Sequence, residues 1–213
     1  MNRMARIFFI VFLLAVTTGT VVLGASSQTE LPKTELPVLI TSCGQCAGTS
    51  MVKVLFMRLK LQVDPPNKAY EMNTFATAED LRKAKEDGIP FKSILIVMGA
   101  SLKGMGAAGI DIDDEIERTS LLMQEAQTQG ITIIGAHITE LKNRAQGAAP
   151  GDNTDELSID AVAPKSDLLL INKGGNEDGR FTIISEEFDI PMIQVEKNLE
   201  LLEKLKELFS PTN

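Results

Sequence analysis

The chain has 213 residues, of which 44% are hydrophobic and 23% are charged, a composition that suits a globular domain and excludes a disordered or fibrous protein. Its formal charge is -8, and it contains one tyrosine and no tryptophan. Because it shows no basic cluster and few aromatic side chains, it has little with which to neutralise phosphates or stack on bases, and the sequence predicts no nucleic-acid partner.

The first 25 residues are organised like a secretory signal peptide. Arg3 and Arg6 precede an uncharged apolar run, Ile7 to Leu23, which ends in the small residues Gly24-Ala25-Ser26. We predict cleavage, which makes the protein periplasmic or extracellular and, by removing two arginines and no acid, moves the formal charge from -8 to -10. The alternative is an uncleaved segment that tethers the chain to the membrane, since about 17 apolar residues can just cross a bilayer.

We divide the rest of the chain into a polar leader at 26–36 and a single α/β domain at 37–213. Apolar runs typical of buried strands alternate with patterns typical of helices along this domain. The predicted strands centre on Val38–Ile40, Ala69–Met72, Ser93–Met98, Ile131–Ala136, Leu168–Ile171 and Pro191–Val195. The central strands are continuously apolar, as in a parallel sheet covered on both faces. The sequence therefore predicts a three-layer α/β sandwich with a mainly parallel sheet, flavodoxin-like or Rossmann-like.

Local signals predict where several helices begin and end. Thr77 and Asp80 have the spacing of a reciprocal N-terminal cap, and Asn153 with Glu156 has the same spacing further along the chain. A helix is predicted from Ile112 to Gln129, where a glycine follows as the expected stop. The glycine-rich segments 99–109 and 142–152 are predicted to be loops.

Further helices are predicted from the remaining patterns in chain order. They begin near Thr49 and Thr182, and a closing helix carries an apolar stripe from Leu199 to Phe209.

The loop after the first predicted strand contains the motif Cys43-Gly44-Gln45-Cys46. A helix start can stabilise a thiolate, so the motif supports the hypothesis of a thiol-disulfide protein that uses Cys43 and Cys46. Two features oppose a thioredoxin-like redox motif. No aromatic residue precedes the motif, and the nearest Ile-Pro pair that could accompany it, Ile190-Pro191, lies far downstream. The alternative is a structural disulfide or two buried thiols.

The same loop is also a candidate ligand site. No Asp or Glu occupies the first turn of the helix near Thr49, so its amides could face an anion, unless Thr49 or Ser50 caps them. Other polar side chains follow neighbouring strands, and ligands of doubly wound folds bind at the carboxyl ends of strands. The predicted ligand-binding residues are Ser42, Gln45, Ser50, Ser101, Lys103, His137 and Lys173.

Two glycine motifs and one acidic cluster are not interpreted as cofactor sites. Gly104 to Gly109 matches a dinucleotide pattern, but it stands several residues after its strand, and the following acids would repel a pyrophosphate. Gly99 to Gly104 lacks the lysine of a P-loop. The acids themselves, Asp111, Asp113, Asp114 and Glu115, are interpreted as helix caps. The sequence predicts no cofactor and no metal.

Five segments together carry a resemblance to a known family. They are Pro37–Gln45, Met51–Lys53, Thr77–Leu81, Lys103–Asp111 and Gly135–Ile138. On these segments the chain resembles a family of exported bacterial proteins known only as a domain of unknown function. The resemblance covers nearly all of the mature chain, is most specific in the glycine-rich segment, and implies an extracytoplasmic α/β domain without implying an activity.

We interpret the sequence as an exported domain that binds a small polar or anionic ligand, more consistent with a binding protein than with an enzyme. The thiol-disulfide protein is the first alternative. The second is an interaction module without a small ligand, which would use its acidic surface or the loop at 142–152 to bind an envelope protein. Contact with the membrane is expected only through an uncleaved signal.

Overall fold

The computed structural model describes residues 31–61, 63–64, 68–144 and 152–210. The predicted signal peptide, the first part of the predicted leader and most of the predicted loop at 142–152 lie outside the described residues. No helix in the described part of the chain is both long and apolar enough to span a lipid bilayer.

The described strands form one parallel six-stranded sheet. They are β1 Val38–Cys43, β2 Tyr70–Met72, β3 Ser93–Met98, β4 Thr132–His137, β5 Leu168–Asn172 and β6 Met192–Val195. Their order, β2-β1-β3-β4-β5-β6, adds one strand to the flavodoxin-like order and differs from the Rossmann order. The prediction of a flavodoxin-like or Rossmann-like parallel α/β sandwich is confirmed.

Helices cover both faces of the sheet. They are α1 Gly48–Leu59, α2 Ala78–Glu86, α3 Leu102–Ala108, α4 Ile112–Gln129, α5 Thr154–Val162, α6 Arg180–Glu187 and α7 Asn198–Phe209. One core cluster contains Leu81 of α2, Met123 of α4 and Ile159 of α5, and the other contains Phe56 of α1 and Leu205 of α7. This division follows from right-handed crossovers, which place a helix on one face or the other according to the direction of the step along the sheet.

Two predicted helix boundaries are confirmed. Asp80 Oδ2 accepts a hydrogen bond from the Thr77 amide at 2.7 Å, which forms the expected cap of α2. Helix α4 runs from Ile112 to Gln129 as predicted and ends at Gly130, whose φ of 69° lies in the left-handed region.

Two other local predictions are wrong. The segment 99–109 is not a continuous loop, because it contains α3, whose start is capped by the Ser101 hydroxyl, 3.0 Å from the Gly104 amide. Asn153 does not cap α5; the Asp152 carboxylate accepts the Thr154 amide at 2.9 Å instead. In both cases a side chain that the sequence did not identify as a cap accepts a hydrogen bond from an amide at the start of the helix.

Candidate functional site

The loops that follow β1 and β3 meet at the topological switch point of the sheet, the place where flavodoxin-like folds bind ligands. Their backbones are joined directly: the Ser101 amide donates to the Gly44 carbonyl at 2.7 Å, and Gln45 pairs with Ala100 in an isolated antiparallel bridge. We refer to residues 44–47 and 99–101 as the loop pair. These bonds fix the position of one loop against the other.

The first loop adopts a backbone conformation that few residues tolerate. Gly44 has a φ of 95°, and a Cβ atom there would lie 2.5 Å from the Gly99 carbonyl oxygen. Gln45 has a φ of 54°, a left-handed conformation that costs a non-glycine residue roughly 1 kcal/mol or more. Its side-chain amide donates to the Thr74 carbonyl at 2.9 Å. The surrounding structure therefore holds the loop in a strained conformation.

A buried carboxylate from α4 holds this loop in place. Glu115 is 1% exposed, and its Oε2 accepts the Gly44 amide at 2.7 Å and the Gln45 side-chain amide at 3.1 Å. Arg118 donates to both carboxylate oxygens at 3.0 Å and also to the carbonyl of Ala76 at 2.7 Å. The Glu115–Arg118 pair therefore ties the first loop to the segment that follows β2.

The interpretation of all four acids near the start of α4 as helix caps needs a correction at Glu115. Asp111 and Asp114 form the capping box, but Glu115 points inward. Glu115 lies on the same helix face as the buried Thr119 and Leu122. An acid on the apolar face of a predicted helix, with an arginine three residues later, was therefore the sequence signal that could have identified a buried ion pair.

Residues of α5 hold the second loop in a similar way. The Ser158 hydroxyl accepts the Gly99 amide at 3.0 Å and donates to the Cys43 carbonyl at 2.7 Å. The Asp155 carboxylate accepts the Ala100 amide at 2.6 Å. Neither Asp155 nor Ser158 was singled out from the sequence, because the contacts join residues more than 50 positions apart.

Two amides of the first loop, those of Gly44 and Cys46, donate to groups within the protein. Besides the bond from Gly44 to Glu115, the Cys46 amide donates to the Ser42 hydroxyl at 3.3 Å. Neither Thr49 nor Ser50 caps α1, whose N-cap is Ala47 without a side-chain bond, and no acid lies in the first turn. The first turn of α1 is thus free of acids and of side-chain caps, whereas the amides of Gly44 and Cys46 in the preceding loop each have an internal acceptor.

The two cysteines are free thiols with different surroundings. Cys43 is fully buried in the core cluster under α2 and α4, whereas Cys46 is half-buried and packs against the cluster under α1. Burial raises the pKa of both thiols. A redox pair needs two thiols that approach each other and one activated thiolate, so this arrangement argues against that interpretation.

His137 ends β4 and is 1% exposed. Its Nδ1 lies 3.2 Å from the Met98 carbonyl oxygen, its Nε2 lies 3.3 Å from the Thr139 hydroxyl, and its ring centroid is 5.1 Å from that of Phe181. Burial, aided by the positive charge of Arg144, lowers the pKa of His137 from 6.5 to about 4. His137 is therefore a neutral residue packed beneath the edge of the sheet.

This environment predicts that His137 makes stability depend on pH. Above pH 6.5 the side chain is neutral in both states; as the pH falls towards about 4, only the unfolded chain binds the proton, and the free energy of unfolding drops. The loss attributable to His137 reaches about 3 kcal/mol. Denaturant titrations of the wild type and His137→Gln at several pH values measure the difference, and parallel pH profiles for the two proteins would contradict this prediction.

The remaining predicted residues are divided between the loop pair and the loop that follows β5. Ser50 and Lys103 are exposed in the first turns of α1 and α3, which flank the loop pair, and Ser101 is half-buried. The lack of a side chain at Gly104 allows α3 to approach the first loop, since a Cβ there would lie 2.8 Å from the Gln45 carbonyl oxygen. Lys173 follows β5 instead and pairs with Glu196 at 2.7 Å.

Of the predicted ligand-binding set, four residues thus lie around the loop pair: Gln45, Ser50, Ser101 and Lys103. Ser42 and His137 are buried at the same edge of the sheet. Among the described residues, no group of three or more His, Cys, Asp or Glu could hold a metal ion.

The fold and the fixed switch point define a flavodoxin-like, doubly wound α/β domain with a preorganised loop pair. The chain belongs to the family described as a domain of unknown function (DUF6305), whose family model matches residues 35–209. The resemblance to a family of unknown function is thereby confirmed. A search of curated proteins finds no match.

Two solved structures show a distant similarity to the chain. A psychrotrophic esterase, EstA from Pseudoalteromonas sp., is 12% identical over 74% of this chain and 76% of its own, with a TM-score of 0.34. A GDSL-like lipase from Bacteroides thetaiotaomicron VPI-5482 is 13% identical over 79% of this chain and 76% of its own, also with a TM-score of 0.34. These scores are too low for either activity to be transferred to this chain.

Proposed function

We propose that the protein is an exported domain that binds a small polar or anionic ligand over the loop pair, at the carboxyl edge of the sheet. The observation that carries the proposal is the strained left-handed backbone of Gln45, which follows the close approach of Gly44 to the second loop and is held by the surrounding structure. Strain of this kind is concentrated at ligand and active sites, where the surrounding structure maintains it. A loop that is already ordered also loses little conformational entropy when a ligand binds.

The side chains around the loop pair favour a ligand that accepts hydrogen bonds. Ser50 and Ser101 carry hydroxyl groups and Lys103 carries an ammonium group, all of which can donate. The first turns of α1 and α3 contain no acid. A carboxylate, phosphate or sulfate group on a small molecule has the acceptor atoms that these donors require.

An isosteric pair of variants at Ser50 tests the charge preference. Ser50→Asp places a negative charge beside the loop pair, whereas Ser50→Asn has nearly the same size and no charge. An acid in the first turn of a helix is favourable for folding, so Ser50→Asp should remain folded. We expect it to weaken anion binding by about tenfold or more through like-charge repulsion, while Ser50→Asn changes it little.

Amide chemical shifts recorded during titration with inorganic phosphate and with acetate report this binding. The expected result is a set of saturable shifts confined to residues 44–50 and 100–104 that Ser50→Asp weakens. Equal shifts in the two variants, or shifts located elsewhere in the protein, would rule out the anionic form of the proposal.

A further inference from the structure

Helix α1 differs in charge from most of the molecule. Residues 36–63 contain no acid, although the chain has 29 of them, and this stretch carries Lys53, Arg58 and Lys60. Every other α-helix among the described residues contains an acid except the short α3. In an acidic protein, α1 is therefore a locally basic element.

The outward face of α1 combines basic and apolar side chains. Lys53 and Arg58 are exposed, and between them Val54 and Met57 are 46% and 58% exposed. We refer to these four residues as the basic–apolar face. The neighbouring helix on this side of the sheet, α7, carries three acids and two lysines and is not basic.

The leader enters the domain beside the C-terminal end of α1. The Thr34 hydroxyl donates to the Leu208 carbonyl, and residues 31–36 line a groove of about 1190 Å³ together with the ends of α1 and α7. The part of the chain that precedes residue 31 therefore joins the domain next to the basic end of α1.

We propose that the basic–apolar face of α1 docks on the surface of a lipid bilayer that contains anionic phospholipids. Lys53 and Arg58 would lie at the lipid phosphates, while Val54 and Met57 would enter the interface. So few basic residues bind a membrane weakly, and a second signal is needed for stable attachment. In the uncleaved form of the chain, the apolar run Ile7–Leu23 supplies that signal and raises the effective concentration of α1 at the membrane.

This docking surface is separate from the proposed ligand site, since the four residues lie beyond the first turn of α1. A bilayer fits the face better than an acidic protein would, because residues 31–36 pack beside this end of α1 and the apolar run Ile7–Leu23, which tethers the uncleaved chain to the membrane, precedes them in the sequence. An acidic protein partner would leave α1 outside the lipid, where brominated lipid could not quench a fluorescent residue on this face.

Because the chain contains no tryptophan, single tryptophans can report on each face of the domain. Met57→Trp places the reporter on the basic–apolar face, and Leu121→Trp places a control on α4, which covers the opposite face, at a site that is 52% exposed. The full chain is reconstituted with phosphatidylcholine vesicles that contain brominated lipid, with and without phosphatidylglycerol. We expect blue-shifted, quenched fluorescence only for Met57→Trp, and only with phosphatidylglycerol.

Charge reversal tests the electrostatic part of the proposal. Lys53→Glu with Arg58→Glu, added to Met57→Trp, should lower the ratio of docked to undocked protein by roughly 30-fold or more, since each basic residue contributes about a fivefold preference. Lys85→Glu with Lys165→Glu changes the overall charge equally, at exposed sites off α1, and should preserve the quenching. Equal quenching in the two vesicle types, or none for Met57→Trp, would overturn the proposal.

Discussion

Replacement of Glu115 by alanine is expected to lower the free energy of unfolding by about 4 kcal/mol, because it leaves a largely buried arginine without its partner. Arg118 would keep its bonds to the backbone carbonyls of Ala76 and Ser42 but lose both contacts with the carboxylate. The buried Gly44 amide would also lose its acceptor, which adds the cost of an unsatisfied donor. Both losses occur at the switch point, so the first loop should open before the rest of the sheet.

Chemical denaturation of Glu115→Ala measures this loss, and Glu117→Ala is its control. Glu117 is exposed on the same helix, and its removal should change stability by no more than about 0.5 kcal/mol. The double replacement Glu115→Leu with Arg118→Met removes both charges and should cost less than Glu115→Ala alone. Similar stabilities for Glu115→Ala and Glu117→Ala would show that the buried pair does not hold the loop.

Replacement of Gly44 by alanine is expected to destabilise the protein by about 3 to 5 kcal/mol, from overpacking together with backbone strain. The added Cβ would lie 2.5 Å from the Gly99 carbonyl oxygen and 2.9 Å from the Ala100 Cα, both of which are backbone atoms and cannot rotate away. The two loops would have to separate, which would break the bond from the Ser101 amide to the Gly44 carbonyl.

Two other glycines separate the contributions of strain and contact at Gly44. Gly88 has a φ of 76°, and a Cβ added there would have no neighbouring atom within 4 Å, so Gly88→Ala should show only the left-handed strain, about 1 kcal/mol. Gly106 lies inside α3 with open space around it, so Gly106→Ala should stabilise the protein by up to about 1 kcal/mol. If Gly44→Ala cost no more than Gly88→Ala, the close contact between the loops would be refuted.

The parts of the fold that depend on local signals were predictable from the sequence. Helix α4 begins and ends as predicted because Asp111 and Asp114 cap its start and Gly130 ends it, all within a few residues of the helix. The apolar run at Ser93–Met98 identified β3 because it is buried on both faces. Helix α3 was missed because its glycines suggest a loop, whereas Gly104 is required by a close contact with the first loop.

The candidate site was only partly predictable, because its supports come from distant parts of the chain. The sequence placed Gln45 in a loop at the correct edge of the sheet, but not its left-handed conformation. Glu115 lies 71 residues from Gly44 and Ser158 lies 59 residues from Gly99, and no short-range pattern relates either pair. A lone histidine at a strand end likewise suggested a ligand contact, but its burial is decided by Phe181 and other side chains that pack on it.

Glu115 and Asp155 each accept a hydrogen bond from a backbone amide of the loop pair, so these two amides are not available to a ligand. An anion-binding cradle presents free amides, but here carboxylates from α4 and α5 accept the amides of Gly44 and Ala100. In the proposed site, selectivity for a ligand would come from exposed side chains, chiefly Lys103 and Ser50, while the carboxylates fix the backbone beneath them.

The most direct test of the proposed function is native mass spectrometry of the protein purified from its own cell envelope, alongside the Ser50→Asp and Ser50→Asn variants prepared in the same way. We predict a small-molecule adduct of one defined mass on the wild type and on Ser50→Asn, released on denaturation and depleted in Ser50→Asp. Ligand-free protein in all three samples, or an adduct of equal occupancy in both variants, would contradict the binding of an anionic ligand at the loop pair.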